Sequence, residues 1–95
     1  MIEEKVERRT KADIFFDILR IIQNEKKAKT TRILYGANLS YARLKKNIDY
    51  LIQNGFIQKT QTNGSTYFIL TERGFQFINE FRKVKRFSEA FGISI

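Results

Sequence analysis

The feature that most constrains this chain is a pair of short helices joined by a tight turn, predicted for residues 29–55. The first helix covers 30–36, the turn is Gly36-Ala37-Asn38-Leu39, and the second helix covers 40–54. Ser40 can cap the second helix, because its hydroxyl oxygen can accept a hydrogen bond from an otherwise unpaired backbone N–H. Such a pair must bury one face of its second helix and leave the other face free.

The two faces of the second helix differ in chemistry. Its apolar residues recur at three- and four-residue steps, so they are predicted to share a buried side: Tyr41, Leu44, Ile48, Leu51 and Ile52. The opposite side is polar and basic: Ala42, Arg43, Lys46, Tyr50 and Gln53, with Lys45 and Asn47 at its edges. Gly55 can end the helix in a left-handed conformation. We expect the polar side to meet an anionic partner.

Positive charge is concentrated around this helix pair. The whole chain carries a net charge of +8, but residues 26–62 hold eight basic residues and a single acid, Asp49, for +7. The rest of the chain has ten basic and nine acidic residues, for +1. One sign gathered on one region is typical of a nucleic-acid interface, whereas an ordinary solvated surface mixes signs. A generally basic small protein is the simpler alternative.

Composition argues against several other functions. The chain has no His and no Cys, which removes the usual zinc ligands, the usual general base and any thiolate chemistry. Its carboxylates are scattered, so neither an acid–base pair nor a metal cluster is predicted. We therefore expect no enzyme activity, no metal, no cofactor and no evident small-molecule ligand. No apolar run is long enough to span a membrane, and the expected location is cytoplasmic and nucleoid-associated.

One helix is predicted before the pair. Thr10 is a suitable N-cap, and Asp13 is placed to complete a capping box. A wide apolar stripe follows, which indicates a helix covered on more than one side: Ile14, Phe15, Ile18, Leu19, Ile21 and Ile22. Residues 28–30 are predicted to add a very short strand. The charged residues 1–9 are either a disordered arm or a helical extension that docks on a partner subunit.

A β-hairpin and a long helix are predicted after the pair. Residues 56–62 and 65–70 have β-branched and aromatic character, and Asn63-Gly64 between them supplies the two positive φ angles of a type I′ turn. Thr71 caps a last helix over 72–91, in which Gly74 permits a close approach. Two of its apolar residues, Phe75 and Ile78, are predicted to close the core.

A second apolar stripe on the last helix has the spacing of a short coiled coil. Its members are Phe77, Phe81, Val84, Ser88 and Phe91. We interpret it as a homodimer interface, because an exposed row of Phe side chains would otherwise promote association. The alternative is that the helix packs against the first helix of the same chain.

The order of helix, short strand, helix, turn, helix, hairpin and helix is that of a winged helix-turn-helix. The predicted fold class is mainly α with a small β-hairpin (α+β), divided into an arm (1–9), the winged domain (10–71) and a C-terminal dimerisation helix (72–95). In such a fold the second helix of the pair enters the major groove and the hairpin, or wing, contacts the DNA backbone. The predicted DNA-binding residues are Thr30, Arg32, Ser40, Tyr41, Arg43, Lys45, Lys46, Asn47, Lys59 and Asn63.

The segment TTRILYGANLSY, residues 30–41, resembles the helix-turn-helix signature of small archaeal winged-helix DNA-binding proteins, the ten-kilodalton Sulfolobales chromatin-associated type and its relatives. Residues 55–57 and 67–74 are similar to the strands and to the start of the final helix in this family. The resemblance therefore covers about residues 10–85. It implies a homodimer that is held by its C-terminal helices and binds double-stranded DNA. Asn47 stands where these relatives usually have an aromatic residue, and the last helix is shorter than theirs.

Three functions stay open at this point. The first is a sequence-dependent transcription regulator, and the second is a low-specificity chromatin protein that uses the same surface. The third is a winged-helix module that binds another protein through its apolar stripes. RNA binding is not favoured, because no stacking platform of exposed aromatic residues on a sheet is evident.

Overall fold

The computed structural model describes residues 9–93, which form four helices and one antiparallel hairpin. The elements are α1 (Lys11–Glu25), α2 (Thr30–Ala37), α3 (Tyr41–Gln53), β1 (Ile57–Thr62), β2 (Ser65–Leu70) and α4 (Glu72–Phe91). Their order and type confirm the predicted winged helix-turn-helix with a C-terminal helix. Apart from Arg9, the predicted N-terminal arm lies outside the described residues.

Helix α1 begins with the predicted capping box. The Asp13 backbone N–H donates to the Thr10 hydroxyl at 3.0 Å, and the Thr10 N–H donates to the Asp13 carboxylate at 2.9 Å. Burial acts to raise the pKa of Asp13, but the hydrogen bonds from Thr10 and the nearby Lys85 ammonium outweigh it and leave the pKa below its ordinary value. The carboxylate that closes the box is therefore charged at neutral pH.

The wide apolar stripe of α1 forms the centre of the core. All six of its predicted members are buried, and Ile18, Leu19 and Ile22 have no exposed surface. Helices α2 and α4 and strand β2 pack against α1. Phe15 also stacks on Tyr50 of α3, with ring centroids 5.0 Å apart. A stripe this wide is explained by its neighbours, which cover α1 on several sides.

The turn between α2 and α3 is held by backbone and side-chain caps. Asn38 ends α2 in the left-handed region, at φ 53°, and Leu39 is buried beneath the turn. The Ser40 hydroxyl then accepts a hydrogen bond from the Arg43 N–H at 3.3 Å, which confirms the predicted N-cap. At the far end of α3, Gly55 has φ 77°, as predicted for a residue that closes a helix.

The hairpin has the predicted turn and register. Asn63 and Gly64 have φ values of 50° and 78°, the two positive angles of a type I′ turn, and they connect the pair Thr62–Ser65. Ala28 pairs with Phe68 through two backbone hydrogen bonds of 3.0 and 2.8 Å, which confirms a very short third strand. Phe68 is buried and carries the hairpin onto the core.

Helix α4 is anchored where it leaves the hairpin. The Thr71 side chain caps the helix by accepting from the Gly74 N–H at 3.1 Å, and its hydroxyl donates to the Gly55 carbonyl at 2.6 Å. A Cβ atom added to Gly74 would lie 2.3 Å from the Phe56 carbonyl oxygen. The predicted close approach at Gly74 is therefore confirmed, and it is an approach of backbone to helix.

Two side chains lie on different faces from those predicted. Phe75 is 45% exposed and does not close the core, because Gly74 and Ile78 face inward and place Phe75 at the outer edge of the helix. Tyr41 is 62% exposed, since the buried face of α3 consists of Leu44, Ile48 and Leu51. Tyr50, assigned to the outward face, is 43% exposed, and its ring also stacks on Phe15 of α1.

We predict that Gly74→Ala destabilises the fold by about 2–3 kcal/mol, because the added methyl group meets a carbonyl oxygen that cannot rotate away. The measurement is the free energy of unfolding from urea denaturation. Gln76→Ala, on an exposed position of the same helix, is the control and should change it by less than about 0.5 kcal/mol. Equal stability of the two variants would show that the close approach carries no energetic weight.

Candidate nucleic-acid interface

The solvent-facing side of α3 is a narrow strip of exposed residues. Ala42, Lys46, Asp49 and Gln53 are all exposed and follow one another at steps of four, three and four, so they line up along the helix. Burial of Leu44, Ile48 and Leu51 fixes this strip outward. A groove lies along each side of the strip.

The first groove, called here the wing-side groove, separates α3 from the hairpin and has a volume of about 190 Å³. Apolar residues form part of its lining, with Phe68 of β2 facing Ile48 of α3. Its polar residues include four of the predicted DNA-binding residues: Thr30, Tyr41, Lys45 and Lys59. Residues predicted from three separate parts of the chain thus meet at one place. Asp49 also lies here, and the Lys45 ammonium pairs with its carboxylate at 3.4 Å.

The second groove, called here the α1-side groove, separates α3 from the start of α1 and has a volume of about 350 Å³. Three further predicted DNA-binding residues line it: Arg43, Lys46 and Asn47. The Asn47 amide nitrogen donates to the Arg43 carbonyl at 2.8 Å, a contact within the helix itself. Asn47 is partly buried and lines this groove, so it lies beside the exposed strip.

The remaining predicted residues lie apart from these two grooves. Arg32 is on α2 and pairs with Glu25 at 3.0 Å, beside a hollow that includes Tyr35 and Tyr67. Ser40 uses its hydroxyl as a helix cap. Asn63 is exposed at the hairpin tip. Of the ten predicted DNA-binding residues, seven therefore line the two grooves and three lie at separate positions.

Two residues that contribute to the α1-side groove were not predicted as site residues. Lys11 and Arg9 line it, although they stand more than thirty positions before Arg43 in the sequence. The Arg9 guanidinium donates to the Ala37 and Asn38 carbonyls at 2.8 and 3.2 Å and pairs with Asp17 at 2.9 Å. It thereby ties the start of α1 to the turn between α2 and α3. No periodic pattern signals a contact between positions so far apart.

The predicted dimer stripe on α4 is divided between two environments. Phe77 packs edge-to-face on Phe56, and Phe81 packs on Phe16 with ring centroids 4.9 Å apart, so both contact their own chain. The Ser88 hydroxyl donates to the Ile93 carbonyl at the end of the helix. Val84 and Phe91 are 41% and 67% exposed. Phe81 thus follows the alternative of packing against the first helix, whereas Phe77 packs on the segment that precedes β1.

Phe87 belongs with the exposed half of this stripe and was not predicted as part of it. It is 55% exposed and packs on Phe91, with ring centroids 4.9 Å apart and the rings tilted by 44°. Val84, Phe87 and Phe91 are spaced by three and four residues and form one exposed apolar row. Exposed apolar rows of this size commonly mark interaction sites on protein surfaces.

Between Arg9 and Ile93 there is no group of three or more acidic side chains that could hold a metal ion. Over the same residues, no helix is both long and apolar enough to cross a membrane.

Comparison with known proteins assigns the class. A family profile described as Winged helix-turn-helix matches residues 8–89, and the chain therefore belongs to the winged helix-turn-helix family. Among solved structures it is similar to Sso10a-2, a DNA-binding protein from Sulfolobus solfataricus, with 30% identity and a TM-score of 0.75. That match covers 88% of this chain and 85% of the other. MarR from E. coli, in its oxidised form, shares the fold at 13% identity with a TM-score of 0.72, over 86% and 63% of the two chains.

Two archaeal proteins from Methanocaldococcus jannaschii also match this chain, and both are described as uncharacterised. MJ0287 is 43% identical over 67 residues, which is 70% of this chain and 64% of the relative. MJ0290 is 35% identical over 79 residues, which is 83% of this chain and 35% of the relative. The chain thus spans less than two thirds of either curated relative. Together with the similarity to Sso10a-2, these matches confirm the resemblance to small archaeal winged-helix proteins.

Proposed function

We propose that this chain binds double-stranded DNA as a homodimer and regulates transcription, with α3 in the major groove and the β1–β2 hairpin on the backbone. The observation that carries the proposal is the exposed strip of α3, which projects between two grooves that contain seven of the ten predicted DNA-binding residues. The major groove of B-DNA is about 12 Å wide and admits one helix. The similarity to Sso10a-2, described as a DNA-binding protein, supports the same function. Association with the nucleoid would follow from it.

The cations around α3 are suited to phosphate oxygens. Lys59 of β1 lies in the wing-side groove, and Arg43 and Lys46 lie in the α1-side groove. Phosphate contacts hold a protein in register on the duplex, whereas side chains that reach base edges determine sequence preference. The exposed strip of α3 points away from the core between the two grooves, so we assign base contacts to Ala42, Asp49 and Gln53. Lys46, at the edge of the strip, lines the α1-side groove and is assigned to phosphate.

One residue of the strip favours a regulator over a chromatin protein. Asp49 is an acid in the most basic part of the chain, where it weakens attraction to any phosphate backbone. An exposed carboxylate in the major groove can accept a hydrogen bond from the amino group of cytosine. To accept such a bond the carboxylate exchanges its 3.4 Å pair with Lys45 for the base, so an acid at this position costs affinity for all sequences and gains discrimination among them.

We predict that Arg43→Gln combined with Lys46→Gln weakens DNA binding without unfolding the protein, because both side chains are exposed. The slope of log affinity against log salt should fall by about 1.8, since each phosphate contact contributes about 0.9. Fluorescence anisotropy of a labelled duplex over a salt series measures the slope. Lys83→Gln with Arg86→Gln removes the same charge from α4 and should leave the slope near that of the wild type.

A wild-type slope near zero would contradict DNA binding altogether. Sequence specificity is measured separately, by selecting the genomic fragments that the protein binds at about 0.15 M salt. A shared inverted repeat with half-sites about 34 Å apart supports a dimeric regulator. Tight binding with no shared motif supports the chromatin alternative.

The proposed dimer interface is the exposed apolar row of α4, formed by Val84, Phe87 and Phe91. We predict that wild-type protein sediments at twice its chain mass of 11.3 kDa, and that Phe87→Ser with Phe91→Ser shifts it to the monomer. Phe75→Ser is the matched control, because Phe75 is also exposed on α4 but lies outside the row. Sedimentation equilibrium measures the mass. A monomeric wild type, or dissociation by Phe75→Ser alone, would contradict this interface.

A further inference from the structure

We propose that the α1-side groove is a second phosphate-binding surface, in which Lys11 of α1, together with Arg43, holds the DNA backbone on the side of α3 away from the hairpin. The proposal rests on the DNA binding proposed above and extends it to α1, which sequence patterns did not connect with the helix-turn-helix. It assigns a binding role to Lys11 and a supporting role to Tyr50 and Arg9.

The charged residues that line this groove are all cationic. Four cationic side chains lie in it, and no carboxylate does: Arg9, Lys11, Arg43 and Lys46. The wing-side groove includes Asp49, and the hollow beside α2 includes Glu25. The groove between α1 and α4 mixes Asp13, Asp17 and Glu89 with three cations. Of these surfaces, the α1-side groove therefore has the greatest attraction for an anion.

Three of its cations are available to a ligand. Within residues 9–93, the side chains of Lys11, Arg43 and Lys46 make no ion pair and no hydrogen bond. Arg9 differs, because its guanidinium is already occupied by Asp17 and two backbone carbonyls. Arg9 thus stabilises the wall of the groove, and the phosphate contact is assigned to the three available cations.

Aromatic packing positions the Lys11 ammonium. Tyr50 stacks on Phe15 with the two rings only 11° from parallel, which fixes the Tyr50 ring between α1 and α3. The Lys11 Nζ atom lies 5.8 Å from the centroid of that ring, within the range of a cation–π contact. The ammonium is therefore held at the groove while its hydrogen atoms stay free to donate.

The position of the groove fits one strand of a duplex. Helical geometry places Lys45 and Asp49 on the hairpin side of α3, and Arg43 and Asn47 on the α1 side. A helix that lies in the major groove has a phosphate strand on each side of it. With the hairpin facing one strand, the α1-side groove faces the other, and the cations present there match the chemistry of phosphodiesters.

The test compares Lys11→Gln, Lys11→Arg and Arg86→Gln with the wild type in duplex binding over a salt series. A lost phosphate contact lowers the slope of log affinity against log salt by about 0.9. Lys11→Gln should therefore weaken binding about 15-fold at about 0.05 M salt and about 4-fold at about 0.2 M. Lys11→Arg should restore the wild-type slope. Arg86→Gln removes an exposed charge from α4 and should leave the slope unchanged.

Each outcome supports or overturns the contact between Lys11 and the DNA backbone. If Lys11→Gln and Arg86→Gln weaken binding equally, the loss reflects net charge and the groove contact is overturned. If Lys11→Gln keeps the wild-type slope while the wild type binds DNA, α1 makes no phosphate contact. A wild type that does not bind DNA at all refutes the proposed function instead. Thermal unfolding followed by circular dichroism verifies that each variant is folded.

Discussion

Burial of α1 is the interaction on which the rest of the structure depends. Its six apolar residues form the centre of the core, and α2, α4 and β2 pack directly on them. The stack of Phe15 on Tyr50 adds α3 to the same support. Because α1 fixes these elements relative to one another, it also fixes which side of α3 faces solvent. The exposed strip of α3 is thus the counterpart of Leu44, Ile48 and Leu51, which are buried on the inner face of the same helix.

The connections between elements are short and are held by caps and turns. They keep α3 and the hairpin in a fixed position relative to each other. Asn38 and Ser40 end one helix and begin the next, while Gly55 turns the chain into β1. Thr71 and Gly74 then return the chain to the end of α3 through the Gly55 carbonyl and the Phe56 carbonyl. An interface with two grooves at the sides of one helix needs this rigidity, because each groove is formed by two elements.

Local patterns predicted most of the fold, and the exceptions depend on contacts between residues that are far apart in the sequence. The stripe of α1, the Ser40 cap and the Asn63-Gly64 turn each follow from residues close together in the sequence. Phe75 and Tyr41 were placed wrongly because the rotation of a helix is set by contacts such as that of Gly74 with Phe56. The seam spacing of Phe77 and Phe81 suits a partner helix and the same chain equally. Lys11 and Arg9 were missed because nothing local connects them with α3.

In the proposed complex, α3 meets DNA along its exposed strip, with one phosphate strand at each flanking groove. The most direct measurement is the change in backbone amide chemical shifts when a short duplex is added to isotope-labelled protein. We expect the largest changes in α3 at Ala42, Lys46 and Asp49, with smaller ones at Lys59 of the hairpin and Lys11 of α1. Changes confined to the exposed apolar row of α4, with α3 unaffected, would contradict it.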